Sequence, residues 1–130
     1  MTAAKNDFLE LVKVMARLRS TRGCAWDRAQ THQTLLPYLF EEANEVAEAI
    51  KKNDYKNLEE ELGDILLQVV FHAQLAAEKK KFTIQEVVRT LVGKLKRRHP
   101  HVFGRKKLNS VAKIIDHWEK IKQKEKKHKS

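Results

Sequence analysis

The stretch "LFEEANEVAEAIKKNDYKNLEEELGDILLQVVFHAQ", residues 39–74, decides the fold. In its first part Leu39, Ala43, Val46, Ala47 and Ile50 recur at helical spacing. In its second, Leu58, Leu62, Ile65, Leu66, Val69 and Ala73 do the same, to about Glu78. "KKND" at 51–54 makes the turn between them, with Asp54 placed to cap the later helix. A turn that short favours two helices packed stripe against stripe.

The same stretch is the acidic part of a basic protein. Glu41, Glu42, Glu45, Glu48, Asp54, Glu59, Glu60, Glu61 and Asp64 stand against three lysines, in a chain of net charge +10. Residues three or four apart on a helix share a side, so Glu42 neighbours Glu45 and Glu61 neighbours Asp64. Each directly precedes a member of the apolar stripe. Stripes packed together bring all four carboxylates to one edge of the seam, where they repel unless a cation lies between them. Oxygen ligands without cysteine or clustered histidine select Mg²⁺ or Mn²⁺ over zinc. A di-iron bundle would need Glu-x-x-His, and neither Glu42 nor Glu61 is followed three residues later by histidine. The competing reading is a solvated acidic face, the ordinary place for glutamates.

Outward from this pair, the chain reads as an all-α protein, a helical bundle with four to five helices. Phe8, Leu11, Val12, Met15 and Leu18 mark a first helix, which Asp7 and Glu10 would cap. "STRGCAWDRAQT" (20–31) breaks the period and is expected to be an ordered loop anchored by Trp26. Pro37 is expected in the first turn of the next helix, where a missing N–H costs little. Thr83 with Glu86 opens a helix presenting Ile84, Val87, Val88, Leu91 and Leu95. "HPHVFGRKKLNS" (99–110) reads as a loop, and Ser110 can cap a last helix bearing Val111, Ile114, Ile115 and Trp118. We read one domain over residues 1–122 and a lysine-rich, frayed tail over 123–130.

Bulk properties narrow the class. The chain has 130 residues, 42% hydrophobic and 34% charged, with four glycines and two prolines, too few for many tight β turns. Cys24 is alone, so no internal disulfide forms. The apolar run 65–77 is too short and too interrupted to span a membrane, and the N-terminus lacks the order of a signal peptide. A cytoplasmic protein without membrane contact is the expectation. A bundle this small gains core by pairing, so a homodimer or larger homo-oligomer is expected.

The basic charge sits in the second half. From Lys79 to Ser130 there are eighteen lysines and arginines against four acids. In "KLKRRHPHVFGRKK" (94–107), Lys94 and Arg98 share one helical face and Arg97 is adjacent, an array suited to polyphosphate. Trp118 and Lys122 are again four apart, so the ring can stack on a base while the lysine reaches a phosphate; core packing of Trp118 is the simpler alternative. His99 and His101 lack a third and fourth partner for zinc. The tail lysines serve solubility first and nonspecific nucleic-acid attraction second.

"EEANE" at 41–45 with "ELGD" at 61–64 resembles the E-E-x-x-E…E-x-x-D signature of the all-α nucleoside triphosphate pyrophosphohydrolases. "LRSTRGCAWDRAQTHQTLLPYLFEE", "ELGDILLQVVFHAQ", "KLKRRHPHVFG" and "WEKIK" are similar to the MazG branch, over roughly Phe8 to Lys122. The resemblance implies a Mg²⁺-dependent enzyme that cleaves a nucleoside triphosphate between the α and β phosphates, in nucleotide-pool housecleaning. It implies Glu42, Glu45, Glu61 and Asp64 as metal ligands and Glu41 as the residue that orients water. Lys94, Arg98 and Lys122 would hold phosphates, with Arg97 beside them, and Trp118 would contact the nucleotide. Ala25 stands where the family usually has proline in "GCAWD". Many relatives carry two such domains in tandem, and the flanks here resemble the N-terminal copy. Two other classes stay open: a nucleotide-binding regulatory module without turnover, and a basic helical nucleic-acid-binding protein.

Overall fold

The computed structural model describes residues 6–129, and every regular element among them is helical. Seven helices follow one another: α1 Asp7–Leu18, α2 Ala25–Ala29, α3 His32–Lys51, α4 Tyr55–Glu78, α5 Ile84–Arg98, α6 Pro100–Phe103 and α7 Val111–Lys129. The chain divides after Ile84 into two compact units. Among the described residues no helix is long and apolar enough to cross a membrane.

The cap of α1 is Asn6, whose Oδ1 accepts the Leu9 N–H at 3.0 Å. Asp7 and Glu10, expected to form that cap, lie instead in the first turn, where the helix dipole favours acids. The stretch 20–31, expected as a loop, contains α2. Five residues are too few for a self-sustaining helix, and tertiary bonds hold this one. Arg19 Nη1 donates to the carbonyls of Asp27, Arg28 and Gln30 at 2.6, 2.9 and 3.3 Å. The other edge of the same guanidinium donates to Glu78 at the end of α4, at 3.0 and 2.6 Å. Trp26, expected to anchor the segment, is 50% exposed and makes edge contacts to Tyr38 and Phe71. In the turn before it, a Cβ on Gly23 would lie 2.2 Å from the carbonyl oxygens of Arg17 and Leu18, so no other residue fits.

Helix α3 begins at His32, a full turn and more before Pro37, because its start is doubly fastened. Thr31 Oγ1 accepts the Thr34 N–H at 3.2 Å, and Thr34 Oγ1 accepts the Thr31 N–H at 2.8 Å. Pro37 therefore lies inside the helix rather than in its first turn, at the cost of one helical bond. At the far end Asn53 takes a left-handed conformation (φ 52°). Its N–H bonds the Ile50 carbonyl at 3.1 Å and the Asp54 N–H bonds that of Ala49 at 3.1 Å, a Schellman closure. Asp54 then caps α4 as expected, accepting the Asn57 N–H at 3.1 Å.

This turn lays α4 back along α3. Met15, Leu35, Val70, Phe71 and Leu75 form the core, with Leu11, Val12, Leu18 and Ile84 packed around it. The stripes expected from periodicity are only partly buried. Ile50, Leu62, Leu66 and Val69 are exposed, while Val70, Phe71, Leu75 and Ala76 take the inner face of α4. The contact with α1 rotates the buried face of α4 away from the one that a two-helix pairing implies. On the inner side His32 and His72 stack with ring centroids 4.9 Å apart and Nδ1 atoms at 2.7 Å, so one nitrogen donates to the other.

The second unit carries α5 to α7. The expected loop 99–110 opens with the single turn α6, where Pro100 stands at the start that proline favours. Ser110 caps α7 as expected, its Oγ accepting the Lys113 N–H at 3.2 Å. The residues expected to fray after Lys122 continue α7 to Lys129.

Candidate functional site

The turn after α3 sets an antiparallel register that places Glu45 opposite Glu61 and Glu42 opposite Asp64. Glu45, Glu61 and Asp64 each offer a carboxylate oxygen within 4.8 Å of the other two. All three are half-buried, and Glu42 shares that level. Three of the four acids expected at the seam are thus brought together, and Glu42 lies outside that cluster but feels the charges of Asp64 and Glu45. Glu42 Oε2 and Glu61 Oε2 are buried and accept no hydrogen bond. A buried carboxylate oxygen with no donor carries a desolvation penalty unless a proton or a cation offsets it.

The electrostatics follow. Burial raises the Glu42 carboxyl above the usual range, helped by the charges of Asp64, Glu45 and Glu41. Glu61 is pushed up to about 7, first by the hydrogen bond that its protonated form makes to Glu45, then by burial and the charges of Glu45, Asp64 and Glu60. A divalent ion has the charge to reverse both shifts. The donors are all hard carboxylate oxygens, which suits Mg²⁺ or Mn²⁺.

Glu41 is exposed and lies beside the cluster rather than in it. With Asn44, Glu45, Glu48, Asn57 and Glu61 it lines a shallow depression of about 250 Å³. Asn44, Glu48 and Asn57 were not singled out from the sequence as site residues. The signal was present: 41, 44, 45 and 48 follow the helical repeat of a single face.

In the second unit Arg97, Arg98 and Lys122 have protein partners. Arg98 Nη2 and Arg97 Nη2 reach the two oxygens of Glu125 at 2.9 and 3.1 Å, and Arg98 and Glu125 are largely shielded from solvent. Those two guanidinium groups hold the Glu125 carboxyl below its usual range. Lys122 lies 4.0 Å from Glu119, a loose surface pair. Trp118 is half-buried, with the edge of His99 at 4.8 Å and the Arg98 guanidinium 5.5 Å from its ring centre. Lys94 is half-buried on the same helix as the arginines. Glu125 was missed because it lies in the segment read as a tail; its seven-residue offset from Trp118, just under two turns on one face, was the available signal.

Comparison with known proteins adds a family to this geometry. Residues 30–103 match the family described as the MazG nucleotide pyrophosphohydrolase domain. The chain is 56% identical over 119 residues, 92% of its length, to the nucleoside triphosphate pyrophosphohydrolase/pyrophosphatase MazG of Thermotoga maritima, of which it covers 45%. It is 41% identical over 126 residues, 96% of its length, to a nucleoside triphosphate pyrophosphohydrolase of Escherichia coli K12, of which it covers 48%. The chain thus spans about half the length of these curated relatives. A crystal structure of a mazG-related protein from Thermotoga maritima is similar to it at a TM-score of 0.72 and 34% identity. That likeness covers 88% of this chain and 98% of the other.

Proposed function

The chain belongs to the MazG nucleotide pyrophosphohydrolase domain family, and from that premise we propose that it hydrolyses nucleoside triphosphates between the α and β phosphates. Water adds across the anhydride, and the products are a nucleoside monophosphate and pyrophosphate. The observation that carries the reading is the half-buried set Glu42, Glu45, Glu61 and Asp64, two of whose oxygens have no donor. These four side chains would hold Mg²⁺, or Mn²⁺ in its place. Such an ion supplies charge neutralisation to the triphosphate and to the leaving pyrophosphate. Glu41, exposed at the rim of the depression, is assigned to orient the attacking water and accept its proton.

For the second unit we assign phosphate contact to Lys94, Arg97, Arg98 and Lys122 and nucleotide contact to Trp118. Glu125 acts there as a carboxylate stand-in that a phosphate has to replace on Arg97 and Arg98. We also assign a homodimer or larger homo-oligomer to the chain. Phe40, Tyr55 and Leu62 are 66%, 77% and 51% exposed, an apolar load that a second copy would cover. Light scattering that gives a single-chain mass would remove that assignment.

The deciding experiment measures pyrophosphate release from canonical and damaged NTPs and dNTPs, with Mg²⁺ and with chelator. Metal-dependent pyrophosphate with equimolar monophosphate supports the hydrolase. Metal-dependent nucleotide binding with no release from any substrate would leave a regulatory module in its place.

A further inference from the structure

Along α7, Lys113, His117, Lys120, Lys124 and Lys127 follow one another at alternating steps of four and three. At helical geometry they occupy a stripe about 80° wide and about 21 Å long. Lys106 joins it from the preceding loop, its Nζ 3.1 Å from His117 Nδ1. Lys106, His117, Lys120, Lys124 and Lys127 also line a groove of about 390 Å³. Burial and the charges of Lys106 and Lys120 hold His117 below its usual range.

From this stripe we infer that the second unit is a docking surface for duplex nucleic acid, held by its phosphates without reading sequence. The inference is independent of the hydrolase reading, because none of these residues was assigned to the triphosphate. The occupant follows from charge, length and what the stripe lacks. Its span matches about six phosphates of one strand of a duplex. It presents no aromatic platform of the kind single strands use. Trp118 lies about 140° round the helix from the stripe. A membrane-surface helix needs a free apolar face opposite its lysines. In α7 the exposed apolar residues opposite them, Val111 and Ile115, span about one turn, and Lys122 and Lys126 continue that face. The partners of Lys120 and Lys113 are weak and exchangeable. Lys120 pairs with Asp116 at 3.0 Å with both side chains well exposed, and Lys113 donates to Asn109 Oδ1 at 3.1 Å.

The test is fluorescence anisotropy of a labelled random-sequence duplex of 24 base pairs with the full chain, across a salt series. The variant K113Q/K120Q/K124Q/K127Q is compared with K52Q/K79Q/K80Q/K81Q, which removes the same charge from the other unit. Circular dichroism checks that both keep their helices, and nucleotide hydrolysis by the stripe variant stays at the parent rate. The expected result is about tenfold or greater loss of duplex affinity in the stripe variant alone, with the slope of log K against log salt reduced by about three. Equal losses in both variants would show attraction by net charge and overturn the inference. An unchanged slope, or preference for anionic vesicles over the duplex, would overturn it too.

Discussion

The two ends of the α3–α4 pair are made from the same two helices and have opposite character. Away from the turn, Leu35, Val70, Phe71 and Leu75 close against Met15 of α1, and the His32–His72 and Arg19–Glu78 contacts finish the seam. Near the turn, Glu45, Glu61 and Asp64 cluster with the charge of Glu42 close by, and Ile50, Tyr55 and Leu62 stand exposed on the same two helices. One end stabilises the chain through apolar burial. The other concentrates negative charge, which opposes folding until something positive arrives. Apolar burial and carboxylate clustering are thus separated along one helix pair, and substitutions at the two ends should act on different observables.

The largest expected effect breaks the packed end. Phe71→Ala removes a side chain only 2% exposed, and urea unfolding should show a loss of about 3–5 kcal/mol. Loss below 1 kcal/mol would mean that the core is not where stability resides. At the acidic end Asp64→Asn should slow nucleotide turnover by about 100-fold or more, a barrier of about 2.7 kcal/mol. Its metal-free stability should stay equal or rise, because Asp64 raises both Glu42 and Glu61. Near-normal turnover would detach the acids from the chemistry.

A pH series sharpens the same contrast. Glu61 has a folded value raised to about 7 and Glu42 one raised from its ordinary value. A raised carboxyl contributes stability that is full below the unfolded value and lost as pH rises through the folded one. The metal-free chain should therefore lose thermal stability between about pH 4.5 and 7, and Mg²⁺ should reduce the loss by favouring the ionised cluster. Glu78 runs the other way: its bond to Arg19 lowers it, so its contribution fades as pH falls. Melting temperatures with chelator and with Mg²⁺ separate the two, and an identical pH profile in both would count against ion binding at the cluster.

The smallest expected effect lies beside the packed end. Ala25 is the first residue of α2, and Cys24 before it is extended at φ −106°, ψ 128°. Both positions already suit proline. Ala25→Pro should add about 0.4–1 kcal/mol by restricting the unfolded chain, read as a higher urea midpoint.

Much of this was legible because it depends on neighbours in sequence. The turn between α3 and α4, the Asp54 and Ser110 caps and the same-side pairs Glu42/Glu45 and Glu61/Asp64 need only helical periodicity and a polar residue at a terminus. What was misread depends on distant groups. Helix α2 exists because Arg19 gathers its terminal carbonyls, and a single arginine carries no sign of that in its surroundings. Glu125 was read into a tail because only the fold brings it to Arg97 and Arg98.

By itself, the sequence determined an all-helical chain, an acidic knot on a basic protein and a family. Those are set by composition and short-range spacing, which survive without coordinates. Tertiary structure alone decided which face of α4 is buried, which carboxylate oxygens lack a donor, and which arginines already hold an acid. Each of these depends on packing between residues far apart in the chain, where burial and charge act through space.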